Sequence, residues 1–162
     1  MHTLFLLRHA QPGSAPAGGG DAQRPLTALG RRQAAEVGQR LTLREVGLAL
    51  CSPALRTRQT FEASGLDCRL ELITGFYGGS TDTMRAAIAE AGEEIGSVLV
   101  IGHAPTIPAL ASELAYASDP AGAEEIGRWY PPATLTEIAI EGPWARLADG
   151  SATGLLRGVQ RI

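Results

Sequence analysis

Two stretches of this chain share one hydrophobic pattern, a short apolar run that ends at a histidine. Leu4–Leu7 is followed by Arg8 and His9, and Val98–Ile101 is followed, after one glycine, by His103. Unbroken apolar runs of this length predict strands that are buried on both faces of a parallel sheet. Ligands bind at the carboxyl edge of such a sheet, so we expect the two histidines to converge on one crevice.

The remaining pattern up to residue 117 alternates between helices and strands. The predicted helices are Leu26–Leu43, a helix opened by Ser52-Pro53, Asp82–Ala91 and Thr106–Tyr116, and the further strands are Val46–Cys51 and, nearer an edge, Cys68–Ile73. The stretch Pro12–Pro25 is too rich in glycine and proline to form an element. It is predicted to be a loop leaving the proposed site, either a plain connector or a lid.

The C-terminal part adds antiparallel character. We predict a loop or short turn over Asp119–Gly127, a strand with one wetter face over Leu135–Ile140, and closing strand or hairpin segments at Trp144–Leu147 and Leu155–Val159. The order of elements predicts an α/β fold with three layers, α/β/α, around a mostly parallel central sheet with antiparallel C-terminal strands. No repeat or linker divides the chain, so residues 1–162 are predicted to form a single domain.

Composition mainly excludes classes of function. The 162 residues are enough for one domain with a real core. A formal net charge of −3 argues against nucleic acid or an anionic membrane as a partner. No apolar run approaches the ~20 residues of a membrane helix, and the N-terminus lacks the features of a signal peptide. We therefore expect a cytoplasmic protein.

Basic and sulfur-containing residues narrow the chemistry further. The chain has no lysine, and all 14 basic residues are arginine. This excludes a Walker P-loop, a Schiff-base lysine and a kinase-type lysine, since each requires the amine. Any phosphate or carboxylate must be held by arginine forks, histidine or backbone N–H groups. Cys51 and Cys68 lack CxxC spacing and are predicted to be reduced thiols.

Arginine also lies near the start of the helix opened by Ser52-Pro53. A helix N-terminus carries unpaired N–H groups and partial positive charge, so Arg56 in its first turns would add to an anion site. Arg58 lies two residues further on and points to a different face, so we expect only one of the two to serve the site. Strand-to-helix junctions thus hold Arg8 with His9, Arg56 and His103.

Two histidines and two arginines fit few reactions. No HExxH or His-x-His spacing suggests a metal site, and no G-x-S-x-G elbow suggests a serine hydrolase. A phosphate cradle fits best. Guanidinium groups can hold phosphoryl oxygens, one neutral imidazole can attack phosphorus, and the second can stabilise the charge that develops.

Three sequence blocks carry a resemblance to a known family. They are LLRHA at Leu6–Ala10, SPALRTRQT at Ser52–Thr60 and VIGHAP at Val100–Pro105, and they resemble the signature blocks of the histidine phosphatase, or phosphoglycerate-mutase-like, superfamily. With LTALGRRQA at Leu26–Ala34 and FYGGS at Phe76–Ser80, their order is similar to that of the small SixA-like branch of phosphohistidine phosphatases.

This resemblance implies a phosphoglycerate-mutase-like fold and a role for each site residue. His9 would be the nucleophile that becomes phosphorylated, and His103 the second imidazole that stabilises the transition state. Arg8 and Arg56 would hold the phosphate, so that all four residues contact the phosphoryl group. The resemblance implies no metal and no organic cofactor.

One departure from the family pattern bears on the substrate. Larger members carry a glutamate between the second arginine and the second histidine that protonates an alkoxide leaving group, but the FYGGS turn has no carboxylate. Asp82 follows the turn as a candidate acid, although a helix N-terminal charge explains it equally simply. Imidazole leaves without such help, which favours phosphohistidine on a partner protein as the substrate.

Two alternatives stay open from the sequence. The first is a phosphomonoesterase that acts on a small molecule, such as a sugar phosphate or a nucleotide, with Asp82, Glu71 or water as the acid. The second is a phosphate-binding module without catalytic turnover. The sequence leaves the oligomeric state open.

Overall fold

The computed structural model describes residues 1–162 and has a six-stranded sheet at its centre. The strands are β1 (His2–Arg8), β2 (Leu48–Cys51), β3 (Arg69–Leu72), β4 (Ser97–Gly102), β5 (Thr134–Glu141) and β6 (Thr153–Arg161). They lie in the order β3-β2-β4-β1-β5-β6. The β3-β2, β2-β4 and β4-β1 pairs are parallel, whereas β1-β5 and β5-β6 are antiparallel. The predicted parallel sheet with antiparallel C-terminal strands is therefore confirmed.

Five helices cover this sheet. They are α1 (Ala28–Leu41), α2 (Leu55–Ser64), α3 (Thr81–Ala89), α4 (Thr106–Ala115) and α5 (Pro120–Arg128). The Thr27 hydroxyl accepts a hydrogen bond from the Gly30 amide and caps α1, and Ser80 caps α3 in the same way. None of the helices has the length and apolar character needed to cross a bilayer.

Each face of the sheet has its own apolar core. Alternate residues of β1 separate between the two, with Phe5 and Leu7 on the side of α1, and Leu4 and Leu6 in the larger cluster with α3, α4 and α5. All four side chains are essentially buried, which stabilises the fold by about 1.5–3 kcal/mol per side chain. The buried four-residue runs are what a parallel sheet covered on both faces requires, and the three-layer architecture is confirmed.

The predicted loop or turn at Asp119–Gly127 is wrong, because the structure has helix α5 there. The Asp119 carboxylate accepts from the Gly122 amide and caps the helix, and Pro120 fits its first turn. Ala123 and Ile126 are buried, so the helix is held by one narrow apolar stripe. That stripe is only two residues wide, and the surrounding polar residues read as a loop.

Two further expectations for the C-terminal part are corrected. The strand over Leu135–Ile140 forms, but Thr136 is not on a wetter face, since its side chain is fully buried and its hydroxyl is 2.8 Å from that of Tyr130; Glu137 is the half-buried residue of this stretch. Trp144–Leu147 is a 3₁₀ turn rather than a strand, and it buries Trp144 against the sheet. Leu155–Val159 lies within strand β6 as predicted.

Candidate active site

The parallel pairing of β1 with β4 brings the two histidines together. Arg8 is the register partner of Gly102, so the next residues, His9 and His103, leave the sheet side by side. The backbone N–H of His9 donates to the Gly102 carbonyl over 3.0 Å, which ties the two strand ends to each other. The imidazole rings lie with their centroids 5.3 Å apart.

His9 is held in a form suited to nucleophilic attack. Its side chain is almost completely buried, and Nδ1 is 2.8 Å from the backbone oxygen of Ala10. A carbonyl oxygen only accepts hydrogen bonds, so Nδ1 must carry the proton and Nε2 keeps its lone pair. Burial, together with the positive charge of neighbours such as Arg56 and Arg8, lowers the pKa of His9 to about 3. The ring is therefore neutral at pH 7.

His103 is fixed by the end of the neighbouring strand. Its Nε2 lies 2.7 Å from the hydroxyl oxygen of Ser52, the residue that follows β2. The Ser52 backbone N–H donates to the Ile101 carbonyl over 3.0 Å, so Ser52 is itself tied to β4. Burial lowers the pKa of His103 to about 4, with Arg56 as the next cause.

The two arginines place positive charge around the rings. Arg8 donates from Nη1 to the Tyr130 carbonyl over 2.8 Å, and burial together with Arg56 lowers its pKa. Arg56 lies in the first turn of α2 and is 6 % exposed. Arg58 is exposed, and its Nε donates to the Pro53 carbonyl rather than to any site residue. Of the two arginines of α2, the structure thus brings Arg56, and not Arg58, to the histidines.

Several buried nitrogen atoms at the site have no hydrogen-bond partner within the protein. They are Nε of Arg8, Nε of Arg56 and Nδ1 of His103. Leaving a buried polar group unpaired costs about 1–3 kcal/mol, and more when it is charged. A ligand with several acceptor oxygens, such as a phosphoryl group, suits this concentration of donors and positive charge.

One residue at the site escaped the sequence analysis. Asp21 belongs to the Pro12–Pro25 loop, where it begins a 3₁₀ turn that ends at Gln23. Its Oδ2 accepts a hydrogen bond from Nη2 of Arg56 over 3.0 Å and another from the Tyr77 hydroxyl over 2.7 Å. The Tyr77 ring meets the His103 ring edge-on, with centroids 5.7 Å apart. No local pattern pointed to Asp21, because its partners are 35 and 56 residues away.

The other acidic candidates lie apart from this cluster. Asp82 is exposed in the first turn of α3 and makes no hydrogen bond or ion pair with Arg8, His9, Arg56 or His103. Glu71 lies on β3 and pairs with Arg69 on the same strand. Asp21 is the carboxylate that contacts a predicted site residue. No group of three or more His, Cys, Asp or Glu side chains is placed to hold a metal ion.

The largest concavity of the protein lies elsewhere. It has a volume of about 270 Å³ and lies between the end of α1 and the segment after α2, where its lining includes Glu45, Asp67 and Cys68. Two carboxylates at its surface would repel an anion. The concentration of arginine and histidine at the sheet edge, rather than cavity size, therefore marks the candidate phosphate site.

Comparison with known proteins agrees with the resemblance seen in the sequence. Residues 4–75 match the family profile of the histidine phosphatase superfamily (branch 1). An uncharacterized protein of Mycobacterium tuberculosis is 36 % identical over 150 residues, which cover 90 % of this chain and 94 % of that protein.

Solved structures are similar over almost the whole chain. A protein from Nakamurella multipartitia with the provisional name phosphohistidine phosphatase SixA superposes with a TM-score of 0.90 at 39 % identity, covering 99 % of this chain and 95 % of the other. The protein histidine phosphatase SixA complexed with tungstate has the same fold, with a TM-score of 0.76 at 23 % identity and coverage of 97 % and 95 %.

Proposed function

The chain belongs to the histidine phosphatase superfamily, and on that premise we propose that it hydrolyses phosphohistidine on a partner protein through a covalent phospho-His9 intermediate. The observation that carries this proposal is the hydrogen bond from His9 Nδ1 to the Ala10 carbonyl. It leaves the Nε2 lone pair of a neutral, fixed imidazole free to attack phosphorus.

The reaction proceeds in two in-line displacements. In the first, Nε2 of His9 forms a bond to phosphorus while the bond from phosphorus to the leaving group breaks, and the bonding electron pair departs with that group. In the second, water attacks the phosphorus of phospho-His9, the P–N bond breaks and its electron pair returns to Nε2, and the protons of the water stay with the inorganic phosphate that leaves. Arg8, Arg56 and His103 surround His9, and we assign to them the binding of the phosphoryl oxygens and the stabilisation of charge in both steps.

The state of Asp21 favours phosphohistidine over a phosphomonoester. An alkoxide leaving group needs a proton from a general acid, whereas an imidazole ring does not. The hydrogen bond from Tyr77 lowers the pKa of Asp21 to about 2, and Arg56 contributes in the same direction. Asp21 is therefore ionised at pH 7 and has no proton to give. The alternative acids from the sequence, Asp82 in the first turn of α3 and Glu71 paired with Arg69, form no hydrogen bond or ion pair with the four site residues.

A paired substrate assay tests this proposal. Two peptides of one sequence carry either phosphohistidine or phosphoserine at the same position, and kcat/KM is measured for both. General-acid catalysis contributes about 10²–10⁴ in rate, so without an acid we expect a preference of about 100-fold or more for phosphohistidine. Equal rates, or a preference for phosphoserine, would overturn the assignment and favour a phosphomonoesterase.

The covalent intermediate is tested by trapping. Brief reaction with a ³²P-labelled phosphohistidine peptide and an alkaline quench should leave label on the protein, and His9→Gln should abolish it. His2→Gln is the matched control, since His2 lies at the opposite end of β1 and bonds to the Gly142 carbonyl. Absence of label from the active wild type would exclude the covalent route, and absence of both label and activity would favour a phosphate-binding module.

A further inference from the structure

The carboxylate of Asp21 lies on the solvent-exposed side of the candidate site. Its side chain is 52 % exposed, whereas those of Arg56, to which it is bonded, and His9 are almost fully buried. An in-line attack places the leaving group on the side of phosphorus opposite the nucleophile. With Nε2 of a buried His9 as the nucleophile, the leaving group points outward, toward the rim formed by Asp21 and Tyr77.

We propose that Asp21 is a specificity-determining residue that accepts a hydrogen bond from the ring N–H of the departing histidine. This inference rests on the proposed phosphohistidine phosphatase function and adds a selective contact to it. A phosphorylated imidazole has a second ring nitrogen, which is an N–H donor when protonated. A serine or sugar phosphate has no such donor next to the scissile bond. The contact therefore stabilises an imidazole leaving group and not an alkoxide.

Asp21 has acceptor capacity left for such a donor. Its Oδ2 already accepts from Arg56 and Tyr77, but Oδ1 meets only Arg24, over a long 3.4 Å. An ionised carboxylate offers about four acceptor positions. Oδ1 can thus take a ring N–H while Oδ2 keeps both of its partners.

The protein holds this carboxylate in place. A single antiparallel bridge between Pro12 and Leu26 closes the base of the loop, and the Gly13 amide donates to the Pro25 carbonyl over 2.7 Å. The Asp21 backbone oxygen accepts from Nη1 of Arg56 over 2.8 Å, so that Arg56 grips both the main chain and the side chain. The position of Asp21 is therefore coupled to an arginine at the floor of the site.

The chemistry balances without an added acid. A phosphohistidine ring protonated at its second nitrogen accepts the electron pair of the breaking P–N bond and leaves as neutral imidazole, keeping that proton. The Asp21 carboxylate stabilises the protonated ring before and during bond cleavage. The charged and titratable groups that face Asp21 are Arg24, Arg56 and Tyr77, with His103 next to Tyr77.

The decisive measurement is the ratio of kcat/KM between the phosphohistidine and phosphoserine peptides in Asp21→Asn. Losing a charge-assisted hydrogen bond of about 1.5–3 kcal/mol lowers this ratio about 10- to 100-fold. The ratio cancels any change in Arg56 that affects both substrates equally, and inhibition by inorganic phosphate measures that common change directly. Asp149→Asn, at the opposite end of the sheet, is the matched control and should leave the ratio unchanged.

A pH profile provides a second readout. Because Asp21 favours the protonated ring of the bound substrate, removing its charge should move the alkaline limb of kcat for the phosphohistidine peptide to lower pH, by about 1 pH unit for each tenfold loss. An equal change for both peptides would overturn the inference and make Asp21 a competitor of substrate for Arg56. A wild-type enzyme that prefers phosphoserine would instead refute the proposed function itself.

Discussion

The Ser52 hydroxyl holds the ring of His103 in place. Its hydroxyl oxygen lies 2.7 Å from Nε2 of His103, and its own side chain is fully buried. The Ser52 carbonyl accepts a hydrogen bond from the Thr57 hydroxyl over 2.8 Å, which ties it to the start of α2. Ser52 is thus a positioning residue that links His103 to the helix carrying Arg56.

Replacing this hydroxyl should weaken catalysis without loss of the fold. A neutral hydrogen bond contributes about 0.5–1.5 kcal/mol, so we expect Ser52→Ala to lower kcat by about 2- to 10-fold. Because His103 loses a partner, the acid limb of the kcat profile should also move. Ser97→Ala is the control, since Ser97 is equally buried but its hydroxyl has no partner. An unchanged kcat and profile in Ser52→Ala would remove Ser52 from the mechanism.

The four predicted site residues could be recognised from sequence because each follows a readable signal. Arg8, His9 and His103 end apolar runs, and Arg56 begins a helix. Asp21 has no such signal, since it lies in a glycine- and proline-rich loop without periodicity. Its contacts with Arg56 and Tyr77 depend on the path of that loop in three dimensions, which local pattern does not determine. The sequence therefore predicted Asp82 or Glu71 as a side-chain acid, and neither of them bonds to any of the four predicted site residues.

The packing of α1 against α2 fixes the position of a helix that carries a site residue. Gly38 of α1 faces the backbone of Ser64 at the end of α2 so closely that an added Cβ would lie 1.8 Å from the Ser64 carbonyl oxygen. Gly30 approaches the Gln11 carbonyl in the same way, with a distance of 2.3 Å. Helix α1 therefore packs closely against two segments that carry or adjoin site residues, helix α2 with Arg56 and the chain that follows His9.

A methyl group at Gly38 should force these helices apart. We expect Gly38→Ala to lower the free energy of unfolding by about 1–3 kcal/mol, as overpacking does, and to reduce phosphate affinity through Arg56. Gly127→Ala in α5 is the matched control, because an added Cβ there meets nothing within 4 Å and the change should stabilise the protein by about 0.4–1 kcal/mol. Urea unfolding measures both. Equal stability of the two variants would contradict this packing argument.

How well each element could be predicted depends on how many of its residues are buried. The central residues of β1 and β4, Leu4–Leu7 and Val98–Ile101, are buried on both faces of the sheet, so all of them are apolar and the pattern is strong. Helix α5 contacts the core through Ala123 and Ile126 alone, and the 3₁₀ turn at Trp144–Leu147 buries its tryptophan from an irregular segment. Where few residues contact the core, tertiary packing rather than periodicity decides the structure.

The order of the strands in the sheet brings the site residues together. β2, β4 and β1 are neighbours and run parallel, so Ser52, His103 and His9 emerge at the same edge. The sequence predicted that edge, but not which strands would be adjacent within it. The same adjacency brings two neutral imidazoles and two guanidinium groups into one region, and this makes the stability of the fold depend on pH.

As the pH falls, we expect this protein to lose stability at a higher pH than a protein whose histidines keep their ordinary pKa values. The folded-state pKa values of His9 and His103, about 3 and about 4, lie below the unfolded value of about 6.5. Between these values the unfolded chain binds more protons, so the free energy of unfolding decreases as pH falls through this window. The depressed pKa of Asp21, about 2, acts in the same direction but only below its unfolded value of about 3.8. The histidines therefore account for the loss of stability above the unfolded pKa of Asp21, about 3.8, and Asp21 adds to that loss only below it.

Urea unfolding at pH 7 and at pH 4.5 isolates the histidine contribution. Each buried histidine can contribute up to about 1.4 kcal/mol per pH unit, and with allowance for partial exposure of His103 we expect a total loss of about 2–4 kcal/mol. The double variant His9→Gln, His103→Gln should lose much less over the same interval, because neither site can then gain a proton on unfolding. A wild-type stability that stays flat between these pH values would mean that the site accepts a proton without unfolding. In that case the folded-state pKa values of His9 and His103 would lie close to those of free histidine, and the claim that burial keeps both rings neutral would fail together with the stability prediction.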